Sequence, residues 1–313
     1  MGDHSARRKG RENQIDRAAR AARGIRRRVL AHTLSHDGGY LSQACSSAEI
    51  FAALYTCVLN LKKIDRPLSA LPFAGTPGPA RPALTGAIFN GGGEPDCDNF
   101  ILSPAQYALT LYAALVEVGR MDEKSMAAYN VDGSTVEMIG AEHSPGMEVT
   151  TGSLGQGISQ AAGIALARRV KGETGRVILL MSDGECQSGE FWEAVQATCF
   201  HKLGNMLAYV DMNGCQCDGP MTSVMQLEPF DRRLAAFGAR VRRIDGHDIK
   251  TLIRLGRAPA ADVPTFVLCD TDPCRDMAVL QKRRPKFHYV RFASPEEKAE
   301  YRKFYENTFQ EGL

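Results

Sequence analysis

VILLMSDGECQSGEFWEAVQATCFHKLGNMLAYVDMNGCQCDG, residues 177–219, decides the fold. It opens on an apolar run, 177–181, long enough for a buried strand. Ser182-Asp183-Gly184-Glu185 follows, where such a strand ends. The amphipathic segment 192–203 reads as a helix. A second apolar run, 206–210, reads as another strand and delivers Asp211-Met212-Asn213-Gly214. Strand, helix and strand at this length make a βαβ unit with a parallel sheet. The expected class is therefore α/β: a doubly wound, mostly parallel sheet with helices on both faces. In such sheets ligands sit beyond the carboxyl ends of the strands, so Asp183 and Asn213 converge on one point.

One carboxylate, one amide oxygen and a main-chain carbonyl are hard oxygen donors. They suit Mg²⁺, which takes few protein carboxylates and completes its shell with water and phosphate oxygens. Gly184 lets a diphosphate approach the backbone with no Cβ in the way. On these residues alone a plain strand-end turn is an equal reading, because Asp, Gly and Asn all favour turns.

The stretch resembles the thiamine diphosphate motif of transketolases, which begins with GDG and ends in Asn. The resemblance continues through VTTGSLGQG (149–157) and LEPFDRRLAAFGARVRRIDGHD (227–248), and covers residues 25 to 288. It identifies the chain as similar to the N-terminal, diphosphate-binding half of a split transketolase, with the thiamine diphosphate-binding (PP-type) fold. A turn of the 150–157 kind entering a helix at 158–169 also occurs in NAD-binding loops. The TTGSLGQG string fits transketolase better, and no acidic partner for a ribose is evident.

The resemblance assigns roles residue by residue. Asp183, Asn213 and the Cys215 carbonyl are the implied metal ligands. Gly152, Ser153 and Leu154 contact the cofactor through their backbone, and Gly184, Glu185 and Asn213 complete the diphosphate pattern. SHDGGYLS (35–42) resembles the family's GHPGG turn and makes His36 a substrate-side residue. PKFH (285–288) resembles PKWHG and makes His288 both cofactor-facing and substrate-facing. DNFILSPAQYALTLYAAL (98–115) matches in its flanks but replaces Lys, Gly and His by Pro104, Ala105 and Gln106. Gln106 still donates a hydrogen bond to a phosphate oxygen but carries no charge. The family's GHP is replaced by Met138, Ile139 and Gly140, with His143 the nearby substitute. Ser182 stands for the first Gly of GDG, and Ser188 for a glutamate that links the two cofactor sites of a dimer. Asp245-Gly246-His247-Asp248 matches a structural turn.

The 313 residues and 44% hydrophobic content fit a large α/β domain with a real core. Three segments are expected: a basic tail and helix start at 1–24, the cofactor domain at 25–290, and a helical tail at 291–313. Residues 1–11 read as disordered, and 14–31 as a helix whose arginines form a solvated face rather than a nucleic-acid patch. A helix capped by Ser47 is expected through Tyr55. Helix 227–237 and strands at 239–244 and 263–269 follow. Residues 65–95 are rich in Pro and Gly and read as a surface loop, a lid or a partner-binding element. The net charge of +2 gives no argument for nucleic acid or membrane. No apolar run reaches a membrane span, and no signal peptide is apparent. Nine scattered cysteines suit reduced thiols in a cytoplasmic protein, and Cys215-Gln216-Cys217 lacks the companions of a zinc site.

The implied activity is transfer of a two-carbon ketol unit from a ketose or ketose phosphate donor to an aldehyde acceptor. The cofactor, thiamine diphosphate held through Mg²⁺, carries the hard step. The carboxylate that activates its aminopyrimidine belongs, in the family, to a pyrimidine-binding domain that this sequence lacks. The resemblance thus implies a separate C-terminal subunit with that domain and its activating glutamate, in an α₂β₂ assembly. The lost histidines suggest an unusual substrate in a specialised biosynthetic pathway, a carrier-protein-bound acceptor included. Two other readings stay open: a different thiamine diphosphate enzyme, decarboxylating a 2-oxoacid or forming an acyloin, and a non-catalytic scaffold that kept the fold.

Overall fold

The structure, a computed structural model, describes the backbone of residues 2–310 and the side chains of residues 14–309. In chain order the main elements are α1 (Gly2–Ser35), α2 (Leu41–Ala53), β1 (Asn99–Leu102) and α3 (Ala108–Glu117). Then come α4 (Gly157–Lys171), β2 (Val177–Ser182), α5 (Gly189–Phe200) and β3 (Met206–Met212). α6 (Phe230–Ala236), β4 (Arg240–Asp245), α7 (Ile249–Gly256), β5 (Thr265–Asp270) and α8 (Pro295–Tyr305) complete the order.

The five strands form one sheet in the order β1-β2-β3-β5-β4, and every pair is parallel. Both faces are covered. Ile178, Leu180, Leu207, Tyr209 and Val267 pack against α1, α2, α3 and α7. Val177, Leu179, Met181, Ala208 and Val210 pack against α4, α5 and α6. Burial on both faces explains why β2 and β3 read as unbroken apolar runs rather than alternating ones. The face assignments follow from handedness. The connections β2→β3 and β3→β4 run one way through α5 and α6 on one face, and β4→β5 reverses through α7 on the other, as right-handed crossovers require. The reversal places a switch point between β3 and β5, where a ligand crevice is expected at the carboxyl ends.

α2 is enclosed on all sides, every residue from Leu41 to Ala53 being buried. Its polar residues therefore need partners, and these lie at the carboxyl edge of the sheet. Ser47, expected to cap the helix, instead sits inside it and donates back to the Gln43 carbonyl at 2.5 Å. α1 also differs from expectation: it runs from Gly2, through the segment read as disordered. Arginine and lysine are prominent in that segment, and no proline interrupts it. α5 begins at Gly189, with the Ser188 hydroxyl capping the Phe191 amide at 3.3 Å. α6 is shorter than the 227–237 expected, because Pro229 sits at its N-cap.

The 65–95 segment is tied down along its length. Phe73 N–H donates to Gly133 O at 2.8 Å, Leu68 N–H to Arg120 O at 3.0 Å, and Gly86 N–H to Glu142 O at 2.6 Å. These bonds lay it as a cover over the 120–143 region. The C-terminal helix is docked as well, with Tyr301 and Phe309 buried in the core that α1 helps to form. Gly38–Gly39 pairs antiparallel with Val290–Arg291 and draws the C-terminal segment to the N-terminal one. No described helix is long and apolar enough to cross a membrane.

Candidate functional site

The parallel register aligns the strand ends: Ser182 pairs with Asp211, and Asp211 with Cys269. The residues that follow, Asp183, Asn213 and Thr271, therefore face one crevice. A cleft of about 580 Å³ opens there. Its walls include Gln106, Gly152, Leu154, Gly184, Asn213 and Cys215, and Tyr40, Gln43, Ile139 and His288 also line it.

Asp183 is 1% exposed. Its Oδ2 accepts the Gly214 amide at 2.8 Å, and its Oδ1 is buried with no partner. Burial, and then the nearby Asp211 carboxylate, push its pKa up to about 8. A buried, half-satisfied carboxylate costs free energy unless a cation completes it. Asn213 lies beside it. Its Oδ1 accepts the Cys215 amide at 2.9 Å and keeps a second lone pair. Cys215 belongs to a short ribbon paired with Gly219–Pro220, which brings its main chain to the cleft wall. Among the described residues no group of three or more His, Cys, Asp or Glu is placed to hold a metal ion. The donor set is thus carboxylate, amide and carbonyl oxygen, which suits a hard divalent cation rather than a thiophilic one.

The residue that holds this edge together was not among those expected from the sequence. Asp211 is fully buried, and its carboxylate accepts from Ser46 at 2.6 Å, Tyr107 at 2.8 Å and Asn213 at 3.3 Å, and from Thr271. Burial raises its pKa, and these four donors oppose the rise. The Tyr107 hydroxyl also accepts from Asn213 Nδ2 at 3.1 Å, which fixes the amide orientation of that candidate ligand. Four segments far apart in sequence meet on one carboxylate, so only the enclosed polar residues of α2 hinted at it.

Glu185 lines the cleft but spends its carboxylate inside the protein. Ser182 N–H donates to Oε1 at 2.9 Å. Gly155 N–H donates to Oε2 at 3.1 Å, and the Ser103 hydroxyl to the same oxygen. Burial lifts its pKa to about 7 against those bonds. Those bonds pin the 152–157 turn to the end of β2. Gly155 has φ +88°, and a Cβ there would lie 1.9 Å from Ser188 Oγ. The turn therefore needs glycine at that position. Ser153 is exposed and stands outside the cleft lining, while Gly152 and Leu154 are in it.

The three histidines separate. His288 lines the cleft, meets Tyr40 edge-on at 5.5 Å between ring centroids, and has its backbone carbonyl held by Gln43 Nε2 at 3.0 Å. Burial lowers its pKa, and Asp218 partly offsets this. His36 lies outside the lining, stacked on His32 at 3.9 Å. His143 is under the 65–95 cover, against Phe73 at 4.9 Å, with Nε2 3.1 Å from Glu137. Ile139, not His143, takes the cleft position in that segment, because 140–147 folds back through the bonds of Gly146 to Gly86 and Ser144 to Ala141. His247 is structural as expected: Nδ1 meets Glu49 at 3.0 Å and Nε2 accepts the Asp272 amide at 2.9 Å.

Comparison with known proteins gives a consistent picture. The family described as transketolase, thiamine diphosphate binding domain, matches residues 93–274. An uncharacterized transketolase family protein of Sinorhizobium fredii is 36% identical over 286 residues, covering 89% of this chain and 91% of that protein. One of the subunits of the apulose-4-phosphate transketolase of Actinobacillus succinogenes is 27% identical over 277 residues, covering 88% and 91%. A crystal structure of a Pichia stipitis transketolase with xylulose 5-phosphate superposes with a TM-score of 0.68 at 20% identity, covering 95% of this chain. That likeness concerns the fold. The chain spans 45% of the length of that solved transketolase.

Proposed function

This chain belongs to the transketolase family, with a thiamine diphosphate-binding domain, and from that premise we propose that it is the diphosphate-binding subunit of a two-component transketolase-like enzyme. Asp183, Asn213 and the Cys215 carbonyl would hold Mg²⁺. Gly184, Gln106 and the main chain at Gly152–Leu154 would hold the diphosphate. The observation that carries the reading is the buried, unpartnered Oδ1 of Asp183 at the carboxyl end of β2.

Thiamine diphosphate, when bound, supplies the electron sink for breaking and making the bond next to a ketose carbonyl. The chain's own residues hold and shield. Gly184 permits close backbone approach, and Gln106 offers an uncharged donor in place of a cation. Ile139 and Leu154 present apolar surface at the mouth, and so keep water from the reacting end. His288 is kept neutral by burial, which suits it to accept a hydrogen bond or a proton from a donor hydroxyl.

A partner protein with a pyrimidine-binding domain and its glutamate would close the cleft, in a cytoplasmic α₂β₂ assembly. Two points support this. The chain matches its Sinorhizobium and Actinobacillus relatives nearly end to end, and the latter is itself named as one component of a divided transketolase. The substrates of choice are a ketose or ketose phosphate donor and an aldehyde acceptor; that relative's name favours a sugar phosphate. The test is ketol transfer by the purified chain with Mg²⁺ and thiamine diphosphate, alone and with the candidate C-terminal component. Turnover only in the mixture supports the proposal, and turnover by the chain alone rejects it.

A further inference from the structure

The amino end of the sheet, opposite the cofactor cleft, carries a second cavity of about 250 Å³. Its walls include Arg176, Arg240, Arg242 and Arg254, with the 258–261 loop beside them, and no acidic side chain lines it. Arg240 and Arg242 are two apart on the edge strand β4 and so share a face. Val241, between them, packs against the core on the other face. Arg254 comes from the last turn of α7.

The distribution of counter-charge on this edge is uneven. Arg243, on the face away from the cavity, is paired with Glu228 at 2.6 Å and Asp270 at 2.8 Å. Arg176 is paired with Asp98 at 2.7 Å. Among the described residues Arg240, Arg242 and Arg254 have no ion pair, and Asp262, the carboxylate of the adjoining loop, pairs with none of them. The walls are fixed. Arg240 N–H donates to Pro264 O at 2.9 Å, and Arg176 Nη1 donates to Gly256 O. The loop presses so closely on Gly204 that a Cβ there would lie 1.7 Å from the Ala261 carbonyl.

Three guanidiniums of like charge around a preformed hollow repel one another until an anion joins them. Guanidinium forks match the geometry of phosphate oxygens, and arginine is the side chain best suited to that task. We propose that this cavity binds a small phosphate-bearing anion, either inorganic phosphate or a phosphomonoester, through Arg240, Arg242 and Arg254. The site is independent of the cofactor reading and lies at the opposite end of the strands.

The test is calorimetric titration of inorganic phosphate, and separately of glycerol 3-phosphate, into the full chain. The buffer is low in salt and contains EDTA and no thiamine diphosphate. Saturable one-to-one binding is expected. It should weaken at least tenfold in the Arg240→Gln/Arg242→Gln double variant and in Arg254→Gln, and stay unchanged in Asp183→Ala. Tighter binding of glycerol 3-phosphate would identify a phosphomonoester; equal binding would identify phosphate itself. Since the three arginines are exposed, the variants should melt as the parent does. No saturable binding, binding unaffected by the arginine variants, or binding lost in Asp183→Ala would overturn the proposal.

Discussion

Asp183 and Gly214 are joined across the carboxyl ends of β2 and β3 by a 2.8 Å hydrogen bond, and the bond leaves Asp183 Oδ1 buried and alone. This half-satisfied state has two measurable consequences. Asp183→Asn should weaken Mg²⁺-dependent cofactor binding by about 100-fold, the scale of losing a charged ligand, ~3 kcal/mol. The same change should raise the melting temperature of the cofactor-free chain above about pH 8, where the buried carboxyl facing Asp211 is ionised, and should alter it little at lower pH. Calorimetry and thermal melts read the two effects separately. A cofactor-free variant less stable than the parent would contradict the account.

Tyr107 should matter through Asn213. Its hydroxyl joins Asn213 to Asp211. Tyr107→Phe should cost about 1–3 kcal/mol of stability by leaving a buried polar group unpaired. It should also lower Mg²⁺ affinity about tenfold, the usual scale for losing a residue that orients a ligand. Unchanged metal affinity in a folded variant would remove Tyr107 from the positioning scheme.

Gly155→Ala should destabilise by about 1–3 kcal/mol, measured by denaturant unfolding, since it adds a Cβ at φ +88° against Ser188. Gly155→Ala combined with Ser188→Gly removes the clash but not the φ cost, so it should recover only part of the loss.

The histidines supply a contrast. His288→Ala should lower turnover of the two-component enzyme at least tenfold, because His288 is in the cleft. His143→Ala, under the 65–95 cover and away from the cleft, should change it less than about threefold. Equal losses in both would show that the cleft assignment is mistaken.

Glu49 is held by Arg26 at 2.6 Å and by His247 at 3.0 Å. Burial alone would raise its pKa. The bonds from His247 and Arg26 outweigh burial and bring it from 4.5 to about 2. The folded-state value is depressed, so the stabilisation is fully present above about pH 4.5 and is lost as pH falls toward 2. Glu49→Gln should cost on the order of 3 kcal/mol at neutral pH, because it strands the buried Arg26, and should flatten the acid limb in that window. Acid melts of parent and variant compare the two.

How far the site was legible depends on where its parts lie in sequence. The Asp183 and Asn213 arms belong to one βαβ unit, whose period and turn residues are local signals; Asn213 lines the cleft, and Asp183 is buried between the lining residues Ser182 and Gly184. Gly152 and Leu154 were placed by resemblance, and both line the cleft. Asp211, Tyr107 and Gln43 were not, because their roles come from a meeting of α2, α3 and β3 that no local pattern records. His36 and His143 were placed by resemblance alone. His36 instead stacks on His32, and the folded-back 140–147 segment carries His143 beneath the cover. The doubly wound sheet was legible because both of its central strands read as unbroken apolar runs. The start of α1 was not, because a short, basic, polar segment satisfies the patterns of both helix and tail.

The most direct test of the central claim is calorimetric titration of thiamine diphosphate with Mg²⁺ into this chain, alone and mixed with its candidate C-terminal component, with Asp183→Ala as control. The expected result is saturable, Mg²⁺-dependent binding that tightens with the partner and is lost in Asp183→Ala. Absence of binding in both states, or binding indifferent to Asp183→Ala, would contradict a cofactor site built on that carboxylate.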